Sequence, residues 1–231
     1  MVKAALSLAA LGLAAPAEAG CRLALLLALD VSSSVDQHED GLQRQGLAAA
    51  LVAPAVQTAF FGLADPVALG VYEWSGRHNQ QILLEWTLIE SPDVLVAAAN
   101  RIGGSRRSHN EYPTALGHAL AYGARMLQRA PACAQQTIDM AGDGENNEGF
   151  GPEQAYREFP FDGVTVNGLV INAADFEAET QLIDFYKNHV LRGPGAFLEI
   201  AQGFEDFERA MRRKLERELS VPVFGALQAK E

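Results

Sequence analysis

Residues 30–34 read Asp-Val-Ser-Ser-Ser; much later Thr114 closes a polar loop and Asp143 sits inside Gly-Asp-Gly. On extended backbone, side chains two residues apart point the same way, so Asp30, Ser32 and Ser34 can turn toward one point. Thr114 would add a third hydroxyl there and Asp143 a second carboxylate. All five are hard oxygen donors, the set that suits Mg²⁺, Mn²⁺ or Ca²⁺, and no cluster of thiolates or imidazoles favours zinc. Mg²⁺, which keeps waters readily, is the expected ion. Two carboxylates and three hydroxyls, some acting through water, leave a coordination position open on an ion that stays electrophilic. Such an ion would attract a carboxylate presented by a partner protein. Each fragment also has a plainer reading: Ser34 could cap a helix in a box with Gln37, and Asp143-Gly144 could be only a turn.

These residues need elements that bring them together. Leu23 to Leu29 is an unbroken apolar run of strand length, as expected for a strand buried on both faces. A helix is expected over Gln37 to Val52, where Leu42, Leu47, Ala50 and Leu51 share a face. Val67 to Trp74 and Gln81 to Trp86 read as a hairpin turning around Gly76 and Asn79. Then follow a short helix (Asp93 to Arg101), a polar loop (Gly103 to Pro113) and a long helix opened by Thr114 and running to Arg129. A strand from Gln136 to Ala141 ends at Gly142-Asp143-Gly144. The rest alternates: helix Pro152 to Phe159, strand Val164 to Ile171, helix Phe176 to Val190, strand Ala196 to Ile200, helix Phe204 to Leu219. Such alternation predicts an α/β fold with a mostly parallel sheet, covered by helices on both faces, whose one hairpin adds an antiparallel edge strand. In open sheets of this kind ligands bind outside the carboxyl ends of the strands, which is where Asp30 and Asp143 fall.

The whole chain narrows the function classes. Nearly half of its 231 residues are hydrophobic (48%), enough for a sizeable core in one domain. A formal net charge of −11 argues against nucleic acid as a partner and is compatible with cations or basic partners. Lys3, the apolar stretch Ala4 to Ala15 and the small-residue site Ala17-Glu18-Ala19 read as a signal peptide over 1–19, so the protein is expected to be exported, periplasmic or extracellular. A lipoprotein anchored through Cys21 stands as the alternative. Residues 20–220 then form the domain and 221–231 a tail, and no later segment is a transmembrane candidate.

The two cysteines, Cys21 and Cys133, bear on the same site. Cys21 lies nine residues before Asp30, and Cys133 ten before Asp143. If the two strands are parallel neighbours, the cysteines meet at one edge and the aspartates at the other. Sheet neighbours lie about 4.8 Å apart, within the range a disulfide spans, and an exported chain meets an oxidising compartment.

Asp30-Val31-Ser32-Ser33-Ser34, Thr114 and Asp143-Gly144 resemble the D-x-S-x-S … T … D-G pattern of von Willebrand factor A domains, their metal-ion-dependent adhesion site. The resemblance covers nearly the whole chain after the signal peptide. It implies a Rossmann-like, doubly wound, six-stranded sheet of order 3-2-1-4-5-6, with the Asp30 and Asp143 strands side by side, and carries the ligand role to Asp30, Ser32, Ser34, Thr114 and Asp143. Glu73-Trp74-Ser75-Gly76, Gly142 to Asn147, Val166-Asn167-Gly168-Leu169 and Gly193 to Phe197 resemble more closely an uncharacterised family of bacterial secreted A-domain-like proteins. The chain departs from that family at Ala141 and Ala115, where serine is expected, and at Glu145, where proline is. None of these removes a proposed ligand.

Ser33, Gly144, Glu145, Asn146 and Asn147 are expected at the rim, with Asn146 and Asn147 fixing the loop through side-chain-to-backbone bonds or supporting the ligands. His109-Asn110-Glu111 reads as solvated loop, His118 as packing, and Trp74 and Trp86 as core or edge packing. Arg209, Arg212, Arg213, Lys214 and Arg217 read as a solvated helix face. No G-x-S-x-G elbow or P-loop occurs. Asp30 as a phosphoryl acceptor would want a second acid where Ser32 stands. The expected function is therefore a non-catalytic, cation-dependent binding module. A metal-dependent hydrolase using Glu145 or His109 as base, or a structural subunit of an envelope assembly, are the alternatives.

Overall fold

The apolar run after Cys21 is buried on both faces because it lies mid-sheet. In the computed structural model, which describes residues 20–172 and 176–220, β1 (Cys21–Asp30) is buried at all ten positions. The expected signal segment (1–19) and tail (221–231) lie outside the described residues.

The other strands are β2 (Val67–Ser75), β3 (Asn79–Ile89), β4 (Cys133–Gly142), β5 (Val164–Ile171) and β6 (Leu198–Ala201). Helices α1 (Gln37–Leu51), α2 (Pro54–Phe61), α3 (Pro92–Gly103), α4 (Leu116–Leu127), α5 (Pro152–Glu158), α6 (Phe176–Phe185) and α7 (Phe207–Leu219) connect them. The sheet order is β3-β2-β1-β4-β5-β6, parallel except for the β2–β3 hairpin, as expected. Leu23, Leu25, Leu27 and Leu29 pack one face against α1, α3 and α7 residues such as Leu47, Leu95 and Met211. Ala24, Leu26 and Ala28 serve the other face, with Leu116, Leu120, Ala155 and Tyr186. Truncating one of these buried leucines to alanine would remove about 2–5 kcal/mol.

Several boundaries differ from the sequence expectations, for local reasons. Helix α2 was not expected; Pro54, at its first position where a missing N–H is harmless, is the cue. The cap of α1 is Asp36, not Ser34: its carboxylate accepts from Glu39 N at 2.8 Å while Glu39 bonds back to Asp36 N at 2.7 Å. Thr114 does not open α4; the helix begins at Leu116 after an irregular Ala115, leaving the Thr114 hydroxyl out of capping. The expected helix over Phe176 to Val190 changes to a π-helical turn at Tyr186–Val190, and that over Phe204 to Leu219 begins as a 3₁₀ turn at Phe204–Asp206.

One expectation about charge fails. Lys214 is not on a solvated face: it is 0% exposed, with Nζ 3.0 Å from Asp139 and 2.9 Å from Glu218. Asp139, mid-strand on β4, is held up to about 7 by burial, against the pull of the Lys214 charge. Arg212 and Arg213 stay largely exposed, each beside a glutamate.

Cys21 and Cys133 are register partners at the start of β1 and β4 and form a disulfide, Cα atoms 4.5 Å apart. A sulfur in that bond cannot also carry a lipid thioether. Closing a loop of 112 residues stabilises the fold by about 4.7 kcal/mol in the chain-entropy model. The same register runs to Leu29 opposite Ala141, so Asp30 falls beside Gly142 and Asp143 one residue beyond.

Candidate functional site

Three loops leave the carboxyl edge of the sheet together: 31–36 after β1, 104–115 before α4, and 143–151 after β4. Their hydroxyls and carboxylates make one chain of contacts. Ser34 Oγ donates to Asp143 Oδ1 at 2.8 Å, 109 residues away. Ser34 and Ser32 share a hydrogen bond at 3.2 Å, and Thr114 Oγ1 donates to Ser32 Oγ at 3.2 Å. Asp30 Oδ1 accepts from Ser32 N at 2.8 Å. Asp30 and Ser32 are 0% exposed and Thr114 3%, whereas Ser34 opens to solvent and Asp143 is partly exposed. The cluster is thus deep on one side and open on the other.

Backbone bonds and long polar side chains hold the loops. Arg107 donates to Val35 O at 2.7 Å through one terminal nitrogen, and to Val31 O and Ser32 O at 2.7 and 2.8 Å through the other. One guanidinium therefore fixes the turn that follows Asp30 and carries Ser32 and Ser34. Gln43, reaching down from α1, donates to Asp30 O at 2.9 Å. Ser33 N donates to Tyr112 O at 2.8 Å, joining the first two loops. Asn147 Oδ1 accepts from Thr114 N at 2.9 Å, and Asn147 N donates to Thr114 O at 2.9 Å. Asn146 Oδ1 accepts from Gly117 N at 3.1 Å. Gly144 lies against Thr114: a Cβ there would sit 3.3 Å from Thr114 Oγ1. Glu145 is exposed beside it.

Electrostatics mark the two aspartates. Burial, then the charge of Asp143, push the Asp30 carboxyl up to about 8, against the Ser32 bonds and the Arg107 charge. Burial also raises Asp143, opposed first by the Ser34 hydrogen bond. Two carboxyls held above their usual range at one point lack positive charge there, and a divalent cation would supply it. Asp30 Oδ2 is buried without a hydrogen-bond partner among the described residues, on the deep side of the cluster. The donor set is three hydroxyls and two carboxylates, and among the described residues no three or more His, Cys, Asp or Glu gather as a metal cluster. The residues therefore fit a hard, oxygen-seeking cation.

Other sequence candidates fall elsewhere. His118 stacks on Phe150, ring centroids 4.0 Å apart, with its imidazole lowered by burial. His109 is exposed and packs edge-on against Tyr112, on a polar cleft between α1 and the 104–113 loop. Trp74 is fully buried, and Trp86 donates from Nε1 to Met126 O at 3.0 Å. The sequence singles out neither Arg107 nor Gln43. Each is a polar residue inside an otherwise ordinary loop or helix, and only its partner in space marks it out.

Residues 20–223 match the profile of a family described as "Protein of unknown function (DUF1194)". No curated protein matches the chain by sequence. Solved structures resemble its fold. One is proximal thread matrix protein 1 from the mussel byssus (TM-score 0.57, 18% identity, 87% of this chain and 49% of that one), also solved with a "zinc occupied MIDAS motif" (TM-score 0.58, 17% identity, 87% and 48%). Another is a von Willebrand factor type A protein from Catenulispora acidiphila (0.58, 18%, 86% and 43%). A third is an aerotolerance-related membrane protein from Bacteroides fragilis NCTC 9343, solved with several residues mutated to serine (0.56, 17%, 84% and 99%). The chain thus spans about half the length of the first two proteins and nearly all of the third.

Proposed function

The chain belongs to the DUF1194 family of proteins of unknown function and has the fold of a von Willebrand factor A domain, and we propose that it is an exported module that binds a partner protein through a divalent cation. One observation carries the reading: a continuous contact chain, Asp143–Ser34–Ser32–Thr114, joins three distant loops around a buried Asp30 whose Oδ2 has no partner. Asp30, Ser32, Ser34, Thr114 and Asp143 would hold the ion. When bound, the ion supplies an open coordination position for a carboxylate of the partner. The chain's own residues keep the other side dry: Asp30 and Ser32 sit below the surface while Ser34 and Asp143 border solvent. The zinc-occupied site of the mussel protein supports a divalent cation in general; the oxygen donors here favour Mg²⁺, with Mn²⁺ or Ca²⁺ able to replace it.

Export is part of the proposal. A signal segment at 1–19, a domain over 20–220 and a tail at 221–231 fit the Cys21–Cys133 disulfide, which persists in the periplasm or outside the cell. No helix among the described residues is long and apolar enough to cross a membrane. For the hydrolase alternative a base must stand at the ion; Glu145 is exposed and His109 packs on Tyr112, and no contact favours either.

The test is capture of partners from an envelope extract by the wild type and by Asp30→Ala, with Mg²⁺ or with EDTA. Partners retained only by the wild type with Mg²⁺ are expected. Partners retained equally in EDTA, or by the variant, would move the reading to a structural subunit.

A further inference from the structure

Helix α6 ends in a π-helical turn at Tyr186–Val190, closed by Leu191 N donating to Tyr186 O at 3.0 Å. Such turns widen a helix by one residue and re-aim a side chain. Here the side chain is Tyr186, 0% exposed, with its hydroxyl buried and lacking a hydrogen-bond partner among the described residues. Phenylalanine would fill the same space without that loss, because a buried hydroxyl left unbonded is a net penalty. The hydroxyl needs another reason to be there.

Gly142 gives its location. A Cβ at that position would lie 2.7 Å from Tyr186 Oη and 2.9 Å from Asp30 Oδ2. Gly142 does not adopt a positive φ, so its backbone conformation does not demand glycine. The space beside it does. That space is bordered by two buried polar atoms, one donor and one acceptor, each unpartnered. A buried hydroxyl and a buried carboxylate oxygen that lie this close to one point are each other's available partner.

We propose that Tyr186 is a positioning residue of the cation site, its hydroxyl reaching Asp30 Oδ2 over Gly142 as the donor that holds it. Asp30 Oδ1 is already held by Ser32 N at 2.8 Å. With both oxygens bonded, the carboxylate cannot rotate about its Cβ–Cγ bond, and it meets the Ser32 and Thr114 hydroxyls in one fixed orientation. The inference rests on the cation reading above and adds a residue from the π-helical turn after α6, an element none of the five ligand candidates belongs to.

The test uses the full chain with Mn²⁺ as probe, its affinity read from the electron paramagnetic resonance of free Mn²⁺, and melting in EDTA as an independent readout. Tyr186→Phe is expected to melt in EDTA no lower than the wild type and to bind Mn²⁺ about tenfold more weakly, as for other groups that orient a metal ligand. Gly142→Ala, which places a methyl between the two oxygens, is expected to weaken Mn²⁺ binding as well. Wild-type Mn²⁺ affinity in Tyr186→Phe, within twofold, overturns the proposal, whether or not the EDTA melt has moved; a lowered melt with unchanged affinity would assign the tyrosine to packing alone. A wild type that binds no Mn²⁺ refutes the cation reading itself, and with it this inference.

Discussion

Replacing Asp30 with asparagine should make the cation-free protein more stable and blind to cations. Asp30 is 0% exposed, and burial with the neighbouring Asp143 charge pushes its carboxyl up to about 8. In the unfolded chain the same group titrates near 3.9. A raised carboxyl contributes stability that is present below about pH 4 and is lost as pH rises toward about 8. At about pH 7 roughly three units separate the solution from the unfolded value, and each is worth about 1.36 kcal/mol. The carboxyl therefore removes at most about 4 kcal/mol at that pH, and about 2 kcal/mol once relaxation around a buried charge is allowed for. Asparagine has nothing to ionise. Its side-chain oxygen can still accept from Ser32 N, and its amide lies where Oδ2 now lacks a partner. For a domain of this size about 2 kcal/mol corresponds to roughly 4–8 °C in Tm.

The assay is scanning calorimetry of both proteins in EDTA and in millimolar MgCl2. In EDTA the variant should melt higher than the wild type by that margin. In Mg²⁺ the wild type should gain about 2.7 kcal/mol if the ion is at a hundredfold its Kd, while the variant gains nothing. A variant that melts lower than the wild type in EDTA would show that the Asp30 carboxylate is stabilised by something other than a cation. A variant that keeps the Mg²⁺ shift would remove Asp30 from the site.

The same carboxyls set a pH dependence. In EDTA the stability of the wild type should fall as pH rises from about 4 toward about 8, since Asp30 and Asp143 are both raised and both favour the folded state while protonated; saturating Mg²⁺ should flatten that slope in urea titrations at successive pH values, and an identical slope with and without Mg²⁺ would refute it. Reducing the Cys21–Cys133 bond, or changing both cysteines to serine, should lower stability by about 4.7 kcal/mol in the chain-entropy model. The affinity for Mn²⁺ of the fraction that stays folded should fall as well, since a slip of β4 against β1 misplaces Asp30 against Gly142 and Asp143; an unchanged affinity would contradict a role of the clamp in setting the register.

Much of this molecule is visible in its sequence because the signals are local or periodic. The Leu23 to Leu29 run has the length and unbroken apolar character of a strand buried on both faces, and Gly142-Asp143-Gly144 closes an apolar run of strand length, the place where a chain leaves the sheet at its carboxyl edge. Where local signals compete, the sequence misleads. Ser34 with Gln37 imitates a capping box, yet Asp36 with Glu39 makes the real one, and this frees the Ser34 hydroxyl for Asp143. Lys214 sits among four arginines on a charged helix and looks solvated; its burial is decided by Asp139, mid-strand and 75 residues earlier in the chain. Arg107 and Tyr186 are invisible for the same reason. Their chemistry comes from backbone carbonyls and a glycine on other elements, and no spacing rule encodes those partners.

The disulfide and the candidate site are two ends of one register. Parallel strands advance about 3.3 Å per residue, and a slip of one residue turns every side chain to the opposite face. A slip of β4 against β1 by one position would set Asp30 beside Ala141 or Asp143 instead of Gly142. In the first case a methyl would press on the Asp30 carboxylate, which already lies 2.9 Å from where a Cβ on Gly142 would sit. In the second the two carboxylates would be brought side by side. Cys21 paired with Cys133 permits neither, because the bond fixes which residue of β4 faces which residue of β1 from the first position onward. One face of β1 is a row of leucines, Leu23, Leu25, Leu27 and Leu29, a pattern that specifies face better than it specifies register. The covalent clamp at the amino edge therefore supplies what hydrophobic patterning leaves weak, and the oxygen cluster at the carboxyl edge is where that accuracy is used.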